Sequence, residues 1–377
     1  MTDTTATADL PDCVCPADGT RVPAGSPAWS CPDCRGPLDL DFSPTPAPLK
    51  SLAGRVNSLW RYEECLPLPA PAISLGEGRT PLVELEGPVS AKLDFLMPTL
   101  SFKDRGAVLL AALAQRLGPE RVIADSSGNA GTAVAAYCAR AGLPCTVYVP
   151  AGTSPKKVEQ IGAHGARLEV VDGDRESAAR AARSAADAPG AFYASHVHNP
   201  YFLHGTKTYV YEIWEDLGGH LPEALVVPVG NGTLLLGAAL AVRELLAAGL
   251  VTEAPALYAV QSAAVAPLAG AWRAGADDLV GETPMAATFA EGIAIPRPAR
   301  ARQILGAVRE FGGTFFTVTE AQIAAAQRDL AARGLYVEST GVACWAAVRE
   351  GALGGRTAVV PLCGAGAKTG LANGVGG

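Results

Sequence analysis

From about residue 80 onward the chain alternates between two hydrophobic rhythms. Short unbroken apolar runs are followed by stretches in which apolar positions recur every three or four residues. RVIAD (121–125) is one such run, and the pattern after it predicts a helix over 129–140 that Gly142 closes. CTVYVP (145–150), RLEVV (167–171), FYA (192–194), ALVVPVG (224–230), LYAVQ (257–261) and TAVVPLCG (357–364) read as further strands. Helices are predicted through 108–114 to a stop at Gly118, over 202–217 and over 233–248. Continuously apolar strands separated by helices imply mostly parallel sheets, flanked by helices and buried on both faces. The fold class is therefore α/β, and ligands in such folds sit beyond the C-terminal ends of the strands.

Composition narrows this picture. The 377 residues are 49% hydrophobic and 18% charged, enough for two domains with large cores and little disorder. A formal net charge of −7 argues against a nucleic-acid binder. The opening MTDTTATADLPD has no basic region followed by an apolar core, so no signal peptide is expected. The apolar stretch at 233–242 is too short to span a bilayer and soon meets Arg243 and Glu244. A soluble cytoplasmic protein with no membrane partner is the expectation. Nine cysteines in a long chain without export signals do not suggest a disulfide framework.

Residues 1–50 stand apart as a Cys-rich extension, with 42–50 (FSPTPAPLK) as a linker. Cys13 and Cys15 precede Cys31 and Cys34, and the CPDC turn of the second pair is built like a zinc knuckle. The first pair is CxC rather than CxxC. The expectation is a small zinc-ribbon-like unit with Cys13, Cys15, Cys31 and Cys34 around a structural zinc. The alternative is an extension of reduced thiols with no metal.

Four segments carry candidate chemistry. In PTLSFKDRG (98–106), Ser101 and Asp104 have the spacing of a capping box, which would put Lys103 in the first turn of a helix. The positive end of the helix dipole and burial both favour a neutral amine there, as Schiff-base formation requires. An ordinary first-turn lysine reaching water is the competing reading. SSGNAG (126–131) follows a strand and opens a helix. Its small residues let backbone approach a ligand, and its amides suit a carboxylate; a plain strand-to-helix turn with a Ser or Asn cap is the competing reading. Ser126, Ser127, Gly128 and Ala130 are its expected substrate-binding residues, with Asn129 donating toward a cofactor. PVGNGTLLLG (228–237) places Gly230, Asn231, Gly232, Thr233 and Leu234 as a nest of amides around a phosphate, without P-loop or dinucleotide spacing. PLCGAGAKTG (361–370) ends the last strand, where Cys363 offers a neutral thiol to a ring. An amine, a carboxylate cradle, a phosphate cradle and a soft polar group are what a phosphorylated aldehyde serving an amino acid would use. That cofactor is pyridoxal 5′-phosphate.

These motifs resemble fold-type II pyridoxal-phosphate enzymes, and most closely threonine synthases. PTLSFKDRG resembles the lysine motif, SSGNAGTAVAAYCARAG the asparagine loop, GEGRTPL (76–82) the opening motif, PVGNG the phosphate loop and LCGAGAKTG the family's glycine-rich ending. The likeness covers roughly residues 75–370. It implies a large cofactor-binding domain over 51–90 and 195–377, a smaller domain over 91–194 carrying Lys103 and Asn129, and a homodimer. It also implies conversion of O-phospho-L-homoserine and water to L-threonine and phosphate. Five positions depart from the family pattern. Leu100 stands where glycine is usual, Cys363 replaces a threonine, and in SHVHNPYFLHGTKT (195–208) His196, Val197 and Phe202 take the places of phosphate-holding Asn, Ser and Arg. A phenyl ring in place of an arginine fork removes a strong charge-assisted contact. His196 or His204 could compensate, or be ordinary polar residues of a helix start. A serine or threonine dehydratase or ammonia-lyase, or a β/γ-replacement enzyme on a non-phosphorylated amino acid, therefore stands beside threonine synthase. A catalytically silent binding relative is the reading of another class, and the intact Lys103, Asn129 and glycine loops weigh against it.

Overall fold

The computed structural model describes residues 9–126, 128–153 and 155–372. They form two compact units, each drawn from three stretches of chain. Elements are numbered along the chain.

The first unit holds the chain up to Pro46, Gly54–Gly78 and Lys103–Thr206. It begins with a small antiparallel sheet in the order β2-β1-β3, made of β1 (Cys13–Val14), β2 (Arg21–Val22) and β3 (Asp39–Leu40). A parallel sheet follows in the order β8-β7-β6-β9, from β6 (Arg121–Ala124), β7 (Cys145–Pro150), β8 (Arg167–Val171) and β9 (Ala191–Tyr193). Its helices are α1 (Asp104–Leu117), α2 (Asn129–Ala141), α3 (Pro155–Ala163), α4 (Arg175–Ala186) and α5 (Tyr201–Thr206). Gly118 and Gly142 stop α1 and α2 in the left-handed conformation, at φ +63° and +69°, as the sequence predicts. The core gathers Val108–Leu113 of α1, Val134 and Tyr137 of α2 and Val147 of β7.

The second unit holds 47–53, 79–102 and 207 onward. Its sheet runs β12-β11-β10-β13-β5-β4, from β4 (Leu82–Glu86), β5 (Val89–Lys92), β10 (Ala224–Pro228), β11 (Ala256–Ser262), β12 (Thr314–Val318) and β13 (Ala358–Pro361). All neighbours are parallel except β4 and β5. The helices are α6 (Thr208–Asp216), α7 (Thr233–Ala247), α8 (Pro267–Arg273), α9 (Ala301–Glu310), α10 (Glu320–Ala332) and α11 (Ser339–Arg349). The five residues of β10 are all buried, matching its unbroken apolar run. No helix among the described residues is long and apolar enough to cross a membrane.

Two local expectations fail for physical reasons. The helix predicted over 202–217 is divided at Lys207 into α5 and α6. The Thr206 hydroxyl donates back to the Leu203 carbonyl at 3.0 Å, competing with the helix ladder just before the break. Ser101 does not cap α1, which has no side-chain cap. Its backbone instead bridges antiparallel to Gly364.

Candidate active site

Lys103 immediately precedes α1 and already has helical dihedrals, φ −62° and ψ −24°. Its carbonyl accepts from the amides of Gly106 and Ala107 at 3.2 and 2.9 Å. Its ammonium lies 5.5 Å from the centroid of the Phe202 ring, within reach of a cation–π attraction. Phe202 is fully buried on α5, and a Cβ added at Gly106 would stand 2.4 Å from its ring. Gly205, one turn along α5, approaches the Arg105 carbonyl so closely that a Cβ would come within 2.0 Å. Two glycines thus let α5 lie against the start of α1 and seat an aromatic face beside the lysine.

His196 meets the Phe202 ring edge-on at 5.8 Å. Burial first, then the charges of Lys103, Arg175 and His198, push its pKa well below 6.5, so it is neutral at pH 7. An unfolded chain protonates this imidazole near pH 6.5 while the folded chain does not. Below that pH the unfolded state binds the extra proton, and stability falls as pH falls toward the lower folded pKa. The expected loss is about 1.4 kcal/mol per pH unit in that window. His196→Phe should flatten this slope in urea titrations taken from about pH 6.5 down to about pH 5. An unaltered slope would show that His196 is not its source.

The loop after β6 is drawn tight. A Cβ at Gly131 would lie 1.7 Å from the Ser126 carbonyl, so only glycine fits. The Gly128 amide donates to Ser126 Oγ at 3.3 Å, while the Cβ direction of Gly128 meets open space. Asn129 opens α2 with no side-chain cap and no acid in the first turn, and Ala130 is buried behind it. Ser127 lies outside the described residues.

In the second unit, β10 runs into Gly230, whose Cβ direction is filled by Ile293 Cα at 2.9 Å. Asn231 leads to Gly232, which caps α7 at φ +74° with a Cβ direction filled by Ile304 at 2.4 Å. No side chain caps α7, and its first turn holds no acid, so Thr233 and Leu234 begin a helix whose positive end suits an anion. After β13, Cys363 is buried, with its thiol 3.7 Å from the Pro361 carbonyl. The Cys363 carbonyl accepts from the Phe102 amide at 2.9 Å, joining the lysine motif to the glycine-rich ending. Leu100 holds a left-handed φ of +63°, which explains why glycine is usual at that position.

A sequence profile described as "Pyridoxal-phosphate dependent enzyme" matches residues 73–364. The chain belongs to this family. Among its relatives, the threonine synthase of Methanosarcina acetivorans is 32% identical over 334 residues, covering 85% of this chain and 82% of that one. The Synechocystis threonine synthase is 32% identical over 343 residues, covering 86% and 87%. Among solved structures, a T.th. threonine deaminase superposes with a TM-score of 0.62 at 27% identity, covering 74% of this chain and 87% of that one. An O-ureido-L-serine synthase superposes with a TM-score of 0.65 at 23% identity, covering 79% and 94%, which shows a shared fold. This pyridoxal-phosphate enzyme is thus fold type II, as the motifs imply.

The residues present fit the cofactor. In the first unit Lys103 offers an amine on an apolar face; in the second, α7 offers an uncapped helix start after two glycines whose Cβ positions are already filled. Ser101 Oγ is fully buried with no hydrogen-bond partner among the described residues, beside the bridge to Gly364. Sequence reasoning gave Ser101 a capping role and overlooked Glu338, whose carboxylate fills the Cβ direction of Gly364 at 2.4 Å. It also overlooked buried Glu77 of the GEGRTPL motif. Glu77 accepts from Trp60 Nε1 (2.6 Å), Tyr137 OH (3.0 Å), Ser74 Oγ (2.9 Å) and the Leu75 amide (2.8 Å). The only local signal for either was a carboxylate beside small residues. In the extension, the ligand atoms that converge are those of Cys15, Asp18, Cys31 and Cys34. Cys13 lies outside that group, on β1, with its thiol pushed up to about 11 chiefly by burial.

Proposed function

We propose that this chain catalyses elimination or replacement on a non-phosphorylated amino acid, in the manner of a serine or threonine dehydratase, an ammonia-lyase or a β/γ-replacement enzyme. The carrying observation is Phe202. At the position where threonine synthases place a phosphate-holding arginine, a wholly buried phenyl ring packs on Gly106 and beneath the Lys103 ammonium. A phenyl ring cannot make the paired N–H contacts by which arginine holds a phosphate. Nearby His196 is held neutral by burial and does not restore the charge.

Pyridoxal phosphate, when bound, supplies an electron sink for negative charge at the substrate α-carbon. Lys103 Nζ is the group that holds the cofactor and moves the α-proton. The amides of Gly230, Asn231, Gly232, Thr233 and Leu234, with the positive end of α7, take the phosphate. Ser126, Ser127, Gly128 and Ala130 hold the substrate carboxylate, and Asn129 donates toward the cofactor. Cys363 would offer the bound cofactor a neutral thiol, which would moderate charge withdrawal and suit elimination over transamination. A structural zinc on the amino-terminal extension completes the cofactor set.

Threonine synthase is the second reading, favoured by the 32% identity to such enzymes across most of the chain. A substrate panel separates the two. Keto-acid formation from serine or threonine, with no phosphate release from O-phosphohomoserine, is the expected result. Stoichiometric threonine and phosphate from O-phosphohomoserine would replace it with the second reading.

A further inference from the structure

We infer that Cys15, Asp18, Cys31 and Cys34 are the four ligands of the zinc on the extension, with a carboxylate in place of a fourth thiolate. This rests on the extension holding zinc and specifies the atoms that hold it.

The two halves of the site are the same turn built twice. The Gly19 amide donates to the Cys15 carbonyl at 2.9 Å, and the Arg35 amide to the Cys31 carbonyl at 3.0 Å. The Cys15 amide donates to the Thr20 carbonyl and the Cys31 amide to the Gly36 carbonyl, both at 2.9 Å. Gly19 has φ +78°, and Arg35 repeats that left-handed conformation at φ +61° despite its side chain. Cys15 therefore corresponds to Cys31 and Asp18 to Cys34. The spacing becomes C-x-x-D and C-x-x-C, one ligand pair from each turn.

The side chains agree with the backbone. The four ligand atoms lie within 4.8 Å of one another. The sulfurs of Cys15 and Cys34 are 3.5 Å apart, far beyond a disulfide bond. Two sulfurs on one tetrahedral zinc stand roughly 3.7 Å apart, given a bond of about 2.3 Å. Cys31 Sγ is 3.5 Å from Asp18 Oδ2, while Asp18 Oδ1 accepts the Thr20 amide at 2.9 Å, which fixes the carboxylate's orientation. Arg35, the nearest guanidinium in sequence, is directed to Asp187 and the Trp29 ring. Among the described residues, the apolar cluster around the site is Cys15, Val22, Cys31 and Leu38, with Cys13 against it. So small a core is commonly completed by a metal. Binding exchanges the thiol protons to solvent, with no change of oxidation state.

Metal analysis of the full-length holoenzyme tests this. The wild type and Cys13→Ser should each carry about one zinc per chain. Cys31→Ser should lose it. Asp18→Ala should release zinc at about tenfold lower chelator concentration or less, and Asp18→Cys should hold it more firmly and strengthen the thiolate bands of the cobalt-substituted protein. The bound cofactor's visible band and the far-ultraviolet dichroism report that each variant is folded. No zinc in the folded wild type after reconstitution would overturn the zinc reading altogether. Zinc lost with Cys13→Ser, or held equally well by Asp18→Ala, would leave the zinc and overturn this ligand set.

Discussion

Replacing Lys103 by alanine is expected to abolish turnover, with a loss of at least about 10²- to 10⁴-fold from the proton transfer alone. The lysine has two roles in the proposed chemistry, covalent attachment and movement of the α-proton, so the loss should exceed that of an ordinary acid–base residue. The visible absorption of the reconstituted protein checks the assignment separately from activity. The wild type should show the band of a covalently attached cofactor, and Lys103→Ala should show that of the free aldehyde. Thermal melting should change little, because the Lys103 carbonyl, not its side chain, accepts the first amides of α1. A variant that keeps the wild-type band would remove Lys103 from the mechanism.

The second large effect concerns stability. Lys92, on β5, is fully buried with its ammonium 3.1 Å from the equally buried Glu212. It also reaches Asp216 at 2.7 Å and the Thr80 carbonyl at 2.5 Å. Lys92→Met keeps most of the volume but takes a buried cation from beside a fully buried carboxylate. The expected cost is about 3–5 kcal/mol, read from the urea midpoint. Adding Glu212→Gln should restore part of it, since the double change removes both members of the buried pair. Asp216 is less affected, because Arg79 pairs with it at 2.9 Å. Equal midpoints for wild type and Lys92→Met would show that the pair contributes nothing net.

Much of the fold was legible because its strands announce themselves by length and content. CTVYVP and RLEVV coincide with β7 and β8 to the residue, and Gly142 ends α2 where the pattern breaks. TFFTV was passed over, although it forms β12 at one end of its sheet, where four of its five residues keep some exposure. Edge strands need less apolar character, so their signal is weaker. Ser101 shows a different limit. A serine three residues before an acid is a local rule, and a bridge to Gly364, distant in the chain, overrode it. The candidate site was legible as motifs: the lysine, the two glycine loops and the phenyl ring at 202 could all be named from the sequence. The ring's burial on Gly106 could not, since it depends on α5 meeting α1. In the extension, the residue types and the geometry point to different groups. Four cysteines invited a four-thiolate set, while the C-x-x-D spacing at 15–18 was visible but carried one oxygen among the sulfurs.

The strand order of the second unit has a consequence for biosynthesis. β13 follows every other strand of its sheet along the chain, yet it is not an edge strand: it lies between β10 and β5. Its partners, at 89–92 and 224–228, must wait unjoined until 358–361 arrives, whereas every described strand of the first unit has emerged by residue 193. Premature termination before 358 should therefore yield a chain with one finished sheet and one split down its middle, a natural substrate for chaperones and proteases.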